Sequence, residues 1–184
     1  MVTFKTGKKL LRESRFHMLD VAMKYEEKLQ LLFTNVMFDE KYKFYGGYYS
    51  EKYKSHTSTK DRHEFVSLNK LGEIQGYIGY SIDREMDYVT GIWTLNFGNT
   101  SFEFGKDLLK CLDDIFVKFK FKKIKYCVNV GNPVESTYDK LTQKYGGRIV
   151  GTYIKDSKLI DGEYYDVKVY EMFLEDYLKN KKRK

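Results

Sequence analysis

The feature that most constrains the fold is a change in the spacing of apolar residues along the chain. Between residues 63 and 97 apolar and polar side chains alternate, which predicts three strands: His63 to Leu68, Ile74 to Ile82 and Tyr88 to Phe97. From Leu108 the spacing becomes three and four residues as far as Phe119, which predicts an amphipathic helix facing a sheet. A chain that carries both periods folds into layers of strands and helices, so a helical bundle is excluded.

The second half of the chain goes through the same change of period again. Lys123 to Val130 is rich in β-branched residues and predicts a strand. Asn132, Pro133 and Glu135 then have the spacing of a helix start, with Asn as N-cap, Pro at the first helical position and Glu three residues after the cap. This second helix ends at Gly146-Gly147. Two further strands, Arg148 to Ile154 and Tyr164 to Phe173, predict a closing hairpin.

The N-terminal part of the chain is predicted to form a helix and a tyrosine-rich segment that packs over another surface. Apolar residues at near-helical spacing predict a helix from Ser14 to Thr34, and the tyrosine-rich stretch Phe38 to Tyr53 predicts a loop or short helices that cover another surface. The predicted order is helix, three strands, helix, strand, helix and two strands. The fold class is therefore α/β (α+β), with a mixed, mostly antiparallel central sheet and helices on both faces.

Length and composition predict one globular domain. The chain has 184 residues, of which 42% are hydrophobic and 32% charged, and this suits a single domain over residues 1–178 followed by a basic tail, residues 179–184. No apolar run is long enough to cross a membrane, and Met1 to Arg15 lacks the apolar core of a secretory signal, so we expect a cytoplasmic protein. Cys111 and Cys127 are expected to be buried structural thiols, and no residue cluster predicts a metal site.

The net charge of +7 raises the question of nucleic-acid binding. Five of these charges lie in the last six residues, which leaves the rest of the chain at +2, and a terminal run of like charge is usually a solvated, frayed tail. Lysines alternate with aromatic residues from Lys118 to Lys125, a pattern that single-stranded nucleic acid can use. The same pattern is typical of a helix end followed by a strand. The charge distribution favours this structural interpretation.

Three stretches of the chain resemble the GNAT family of N-acetyltransferases, and in particular the branch that acetylates ribosomal-protein N-termini. The first is the strand, turn and helix from Trp93 to Lys118, and the second runs from Val128 through Asn132 and Ser136 to Gly147. The third is the final hairpin, Leu159 to Tyr170, which has the "DG, then D, then Y" ending of that branch. The resemblance covers residues 72–171 and implies the GNAT-like acyl-CoA N-acyltransferase fold.

The resemblance also implies a cosubstrate, acetyl-CoA, and no metal. In this family the pantetheine arm lies along the strand that here contains Leu95, Asn96 and Phe97, with Thr94 beside them. The pyrophosphate lies on amides at the start of the next helix, a place where backbone N–H groups and the helix dipole both favour an anion. The phosphate-binding residues implied here are Ser101, Phe102, Glu103, Phe104, Gly105 and Lys106.

The phosphate loop departs from the family pattern. Thr100, Glu103 and Gly105 occupy the three positions where the family has Gln or Arg, Gly, and Gly or Ala, and only Gly105 fits. Glu103 brings a carboxylate beside the implied pyrophosphate, whereas Lys106 offers a cation. A degenerate member that keeps the fold as a binding module therefore remains an alternative to the enzyme.

Acetyl transfer to an amine requires a proton donor for the departing thiolate, and the resemblance implies Tyr138 for this role. Asn132 and Ser136 are the implied cofactor contacts on the same helix. No residue stands out as the general base. The acceptor is an amine of a protein or a small molecule, with part of its binding wall expected in the stretch Tyr42 to Tyr53, and the chain is expected to be a monomer or homodimer. Nucleic-acid association is the third and weakest alternative.

Overall fold

The computed structural model describes residues 18–36, 39–45, 61–98 and 102–182, and within them seven strands form one sheet. The spatial order is β1-β2-β3-β4-β5-β7-β6. Every neighbouring pair is antiparallel except β4 and β5, which are parallel. The strands are β1 Met18–Val21, β2 Arg62–Leu68, β3 Ile74–Asp83, β4 Tyr88–Asn96, β5 Lys123–Asn129, β6 Arg148–Lys158 and β7 Tyr164–Phe173. The α-helices are α1 Glu26–Val36, α2 Phe102–Asp113, α3 Glu135–Lys144 and α4 Leu174–Lys181.

Helices cover both faces of the sheet, each over its own apolar core. On one face, Leu29 and Phe33 of α1 pack against buried side chains of β2, β3 and β4. On the other face, residues of α2, α3 and α4 form a larger core with β3, β4, β5 and β7, around fully buried Phe116 and Tyr170. The predicted α/β architecture, with a mostly antiparallel sheet between helices, is confirmed.

The predicted helix from Ser14 to Thr34 is wrong over Met18–Val21. Residues 14–17 lie outside the described part of the chain, and Met18–Val21 forms the edge strand β1, which pairs with β2. The side chain of Asp20 accepts a hydrogen bond from the backbone of Val21, 2.8 Å away, and a second from Lys24. Such local side-chain bonds compete with a helix. The α-helix therefore begins only at Glu26, after a short 3₁₀ turn.

The central strands part because β4 carries a bulge. Val89 pairs with Ile82 of β3 and Gly91 with Ser81, so Thr90 is an extra residue in β4. A bulge bends its strand and increases the twist. The parallel pairing between β4 and β5 covers only Tyr88 with Lys123 and Val89 with Ile124, and it stops where the bulge begins. Beyond this point no ladder pairing joins the two strands, and the term cleft is used below for this unpaired stretch in the middle of the sheet.

The C-terminal elements are longer than predicted. Strand β6 continues to Lys158, and α4 runs through Lys181, so the first three residues of the predicted tail are helical. Cys111 is buried as predicted, but the prediction for Cys127 is wrong, because Cys127 lies on an exposed face of β5. None of the described helices has the length and apolar character needed to cross a bilayer.

The lysine-rich stretch from Lys118 to Lys125 is engaged in contacts within the fold. Lys122 forms an ion pair with Asp87, and Lys123 with Glu171. Lys118 lies over the ring of Phe119, and Lys125 over the ring of Tyr88. These partners support the structural interpretation of the stretch.

Candidate active site

The cleft between β4 and β5 exposes one edge of β4. The amide of Phe97 donates to the carbonyl of Gln75 in β3, 3.0 Å away, so Phe97 and, two residues back, Leu95 turn their backbone groups into the sheet. Successive residues of a strand point in opposite directions. The backbone groups of Asn96 and Thr94 therefore face the cleft. Of the three predicted strand contacts, Asn96 is the one whose amide is directed there.

The hydroxyl of Tyr138 crosses the cleft from α3 to β4. Its oxygen shares a hydrogen bond with Oγ1 of Thr94, at 3.0 Å. The side chain is 4% exposed, and this burial raises its pKa to about 12. The hydroxyl consequently keeps its proton throughout the neutral range and can act as a hydrogen-bond or proton donor at the edge of β4.

A cluster of aromatic rings fixes the position of Tyr138. The rings of Tyr126 and Tyr170 stack with centroids 5.0 Å apart, and Tyr138 meets both edge to face, at 5.5 and 6.3 Å. Thr142 bonds the hydroxyl of Tyr126 and also donates to the carbonyl of Tyr138, one helical turn away. Asp139, the neighbour of Tyr138, accepts from the hydroxyl of Tyr170 at 2.8 Å. These contacts restrain Tyr138 to a rotamer that points into the cleft.

The first turn of α2, Phe102–Gly105, lies just beyond the end of β4. Ser101, a predicted phosphate contact, lies outside the described residues. Phe102 and Gly105 are exposed, as is Lys106, whose Nζ lies 4.5 Å from the centre of the Phe102 ring. Glu103 and Phe104 are half-buried. The first N–H groups of a helix lack partners within it, so this turn offers donors to an anion, with Glu103 as the opposing charge.

Two contacts anchor α2 on the sheet. The ring of Phe104 lies over Gly76 of β3, so closely that a Cβ on the glycine would be 2.3 Å from Cε2 of the ring. Three residues farther along, the buried carboxylate of Asp107 accepts a 2.5 Å hydrogen bond from Ser67, and Ser67 accepts one from Gln75. The start of α2 is thereby held against β2 and β3, close to the open end of the cleft.

The start of α3 differs from the prediction. The helix begins at Glu135, three residues after the predicted cap, and Asn132 lies in the preceding turn, where its Oδ1 accepts from the amide of Val134 at 3.0 Å. The carboxylate of Glu135 reaches back to the amide of Gly131, at 2.8 Å. The side-chain oxygen of Asn132 thus already accepts a hydrogen bond within the turn, whereas Ser136 is exposed in the first turn of α3.

The segment of residues 39–45 spans the mouth of the cleft. On the β4 side, Tyr42 donates to the carbonyl of Phe97 at 3.2 Å. On the far side, Lys43 forms an ion pair with Asp161 in the hairpin between β6 and β7, at 3.2 Å, and bonds the hydroxyl of Tyr165 at 3.1 Å. The predicted wall from Tyr42 to Tyr53 is described only as far as Tyr45, and within this part Tyr42 and Tyr45 contact the end of β4.

Tyr45 is the site residue that sequence reasoning did not single out. Its hydroxyl oxygen accepts from the amide of Asn96 at 3.4 Å. The tyrosine-rich composition of the segment was the only signal for it, and composition does not distinguish Tyr45 from its neighbours. No described carboxylate or histidine contacts this point: Asp87 pairs with Lys122, and His63 bonds Tyr80. Within the same residues no group of three His, Cys, Asp or Glu is arranged to hold a metal ion.

Comparison with known proteins establishes the fold. No family model and no curated protein sequence matches the chain. Among solved structures, a mutant form of the spermidine/spermine N-acetyltransferase SpeG from Vibrio cholerae superposes with a TM-score of 0.69, with 18% identity over 90% of this chain and 98% of that one. The same enzyme in complex with CoA and spermine gives 0.68 and 18%, over 88% and 98%.

A third structure, provisionally assigned as an acetyltransferase, gives a TM-score of 0.55 at 20% identity. It matches 68% of this chain, which spans somewhat less than two thirds (64%) of that protein. At these identities the likeness concerns the fold. The sheet with its central cleft and surrounding helices is therefore arranged as in the N-acetyltransferases.

Proposed function

We propose that the chain is an N-acetyltransferase that moves an acetyl group from acetyl-CoA to an amine. The observation that carries the proposal is the parting of β4 and β5, beyond which the backbone groups of Thr94 and Asn96 are directed toward the cleft beside the Tyr138 hydroxyl. A pantetheine arm carries amide groups that can bond such an edge as an added strand does. The fold shared with SpeG, whose structure holds CoA and spermine, supports the same assignment.

Different residues are proposed to bind different parts of acetyl-CoA. The amides of the first turn of α2, with Lys106 nearby, suit the pyrophosphate, and the strand edge at Asn96 suits the pantetheine arm. Asn132 and Ser136 remain the proposed contacts on the α3 side. We assign the Asn96 amide, which donates to Tyr45 in the absence of ligand, to the thioester oxygen as it gains charge, and the Tyr138 hydroxyl to the departing thiolate. Positioning of the two reactants supplies a further part of the rate.

The transfer is tested directly by product analysis with several amines. We expect the chain to acetylate at least one of three acceptors: a peptide with a free N-terminus, an N-blocked peptide containing lysine, or a polyamine. Mass spectrometry identifies the acetylated amine, and thiol titration measures released CoA, with one product expected per CoA. The acceptor branch suggested by the ribosomal-protein motifs predicts that the free N-terminus is preferred.

The non-catalytic alternative rests on Glu103, whose carboxylate lies in the turn proposed for the pyrophosphate. Thermal unfolding with CoA, acetyl-CoA and a short oligonucleotide in parallel separates the three candidates. Ligand at a hundred times its dissociation constant stabilises the fold by about 2.7 kcal/mol. Stabilisation by acetyl-CoA without turnover of any acceptor favours the binding module. Stabilisation by the oligonucleotide alone, abolished by salt, favours nucleic-acid binding.

Glu103→Gln is expected to tighten CoA binding by roughly three- to tenfold. The substitution removes a negative charge from the turn proposed for the pyrophosphate and keeps the shape of the side chain. Isothermal titration with CoA measures the change. Glu175→Gln is the matched control, because Glu175 lies in the first turn of α4 and loses the same favourable interaction with a helix dipole. Equal affinities for the two variants would mean that Glu103 points away from the ligand.

A further inference from the structure

Tyr45 lies at the point of the cleft where the reaction is proposed to occur. Its hydroxyl oxygen is 3.4 Å from the amide nitrogen of Asn96, the group of β4 that faces the cleft. The hydroxyl of Tyr138 approaches the same strand two residues earlier, at Thr94. Two phenols from separate elements therefore converge on one short edge of β4.

The proton of the Tyr45 hydroxyl is not engaged in the described structure. The oxygen accepts from Asn96, and within the residues that the structure describes the hydroxyl makes no donated hydrogen bond. Burial raises the pKa of Tyr45 to about 12, so the proton is present at neutral pH. The Tyr45 hydroxyl thus accepts one long hydrogen bond from the Asn96 amide and keeps a proton that it can donate.

We propose that Tyr45 is a catalytic residue that donates a hydrogen bond to the thioester carbonyl oxygen, beside the amide of Asn96. The assignment rests on the proposed acetyltransferase function. Before acetyl-CoA binds, the Tyr45 oxygen satisfies the Asn96 amide. When the carbonyl oxygen takes over that amide, Tyr45 no longer accepts, and its O–H turns toward the same oxygen. The cleft then offers two donors where charge develops.

The bonds of the transfer balance around this oxygen. The lone pair of the neutral amine attacks the carbonyl carbon and forms a C–N bond, while the π electrons of the C=O move onto the oxygen that Tyr45 and Asn96 hold. Return of these electrons restores the C=O and breaks the C–S bond. The sulfur leaves with the bonding pair and takes a proton, and the nitrogen loses one. The products are an amide and CoA, and Tyr45 keeps its proton throughout.

Tyr42 provides a matched control for this role. It belongs to the same segment, and its hydroxyl also bonds the end of β4, but it donates to the carbonyl of Phe97 at 3.2 Å. That hydroxyl is committed to a backbone acceptor. Removing it tests the attachment of the segment without removing a donor from the thioester oxygen.

The test compares Tyr45→Phe with Tyr42→Phe in the full chain, by steady-state transfer to the best amine and by titration with S-ethyl-CoA, which lacks the carbonyl. We expect Tyr45→Phe to lower kcat about 100-fold, the low end of the range for removing one oxyanion-hole donor, because the Asn96 amide remains as the second donor. The Kd for S-ethyl-CoA should not change. Tyr42→Phe weakens the attachment of the same segment without removing a donor from the thioester oxygen, so its loss of kcat should be at least about fivefold smaller than that of Tyr45→Phe.

The outcomes distinguish the two levels of the proposal. An unchanged or raised kcat in Tyr45→Phe, or an equal loss in both variants, overturns the role of Tyr45 while the acetyltransferase stands. Weaker binding of S-ethyl-CoA with kcat unchanged also overturns this role, since Tyr45 would then contribute to ligand binding and not to stabilisation of the thioester oxygen. Failure of the wild-type chain to bind S-ethyl-CoA or to transfer acetyl overturns the proposed function itself.

Discussion

Replacement of Tyr138 by Phe is expected to lower kcat for acetyl transfer by about 10³-fold, within the range found for general acids. The departing thiolate needs a proton, and the Tyr138 hydroxyl stands at the cleft edge beside Thr94 with a pKa of about 12 raised by burial. Because the ring remains, the aromatic cluster with Tyr126 and Tyr170 is preserved. The KM for acetyl-CoA should therefore change little, and steady-state kinetics with both substrates measures the two effects separately.

Tyr126→Phe is the control for this substitution. Tyr126 belongs to the same cluster, but its hydroxyl bonds Thr142 and lies away from the cleft. We expect this variant to keep kcat within a few-fold of wild type, with a lower thermal midpoint from the lost buried hydrogen bond. Equal losses of kcat in the two variants would contradict the assignment of Tyr138, because both effects would then come from disturbed packing of α3.

Replacement of Glu171 by Gln is expected to destabilise the fold by about 3 kcal/mol, the low end of the range for breaking a buried ion pair. Glu171 of β7 is 5% exposed and pairs with Lys123 of β5 and Arg148 of β6. One carboxylate therefore joins three adjacent strands on the β5 side of the cleft. Without it, Lys123 is left partly buried and unpaired. Denaturant unfolding of the two proteins measures the difference.

The destabilisation should depend on pH. Hydrogen bonds from Lys123 and Arg148 lower the pKa of Glu171 below its usual value, despite the opposing effect of burial. Its contribution is complete above the unfolded pKa and disappears as the pH falls through the lower folded pKa. Wild type and Glu171→Gln should thus converge in strong acid. Glu163→Gln, at an exposed turn, should stay within about 0.5 kcal/mol at all pH values. A pH-independent difference would mean that the lost charge is not its cause.

Most of the sheet could be predicted from the sequence because its strands obey strong local rules. Strands β3 and β7 match the predicted Ile74 to Ile82 and Tyr164 to Phe173 within a residue. Each of these strands follows a turn that the sequence marks. Asn69 bonds the backbone of the turn before β3, and Gly162 adopts a positive φ in the turn before β7. The residue pattern within a long, regular strand and its flanking turns is enough to predict where the strand begins and ends.

The elements that escaped prediction are defined by distant contacts. Strand β1 lies within a stretch whose apolar spacing imitates a helix, and it is a strand because β2 offers an unpaired edge. The parting of β4 and β5 begins at the bulge at Thr90, and the glycine that follows it, Gly91, does not by itself distinguish a bulge from an ordinary strand position. Cys127 lies on the same exposed face of β5 as Lys125, opposite the buried Tyr126, so the expectation of a buried thiol followed the residue type and not the alternation of the strand.

The site was predictable in its parts but not in its assembly. Tyr138 follows from the motif resemblance, and Asn96 from its place on the strand that leads into α2. The contact of Tyr138 with Thr94 joins residues 44 positions apart, and that of Tyr45 with Asn96 joins residues 51 apart. Such pairs carry no local pattern, so a single sequence cannot select one tyrosine from seventeen.

Binding of CoA, measured by isothermal titration, tests the central claim most directly. We expect one saturable site, retained in Gly105→Asn and weakened about tenfold or more in Gly105→Asp. Gly105 is exposed, with nothing within 4 Å of an added Cβ, so both side chains fit and only the charge beside the proposed pyrophosphate differs. A proposed pyrophosphate site at this turn requires the two isosteric variants to differ in this way. A wild-type chain that shows no saturable binding at millimolar CoA would contradict it.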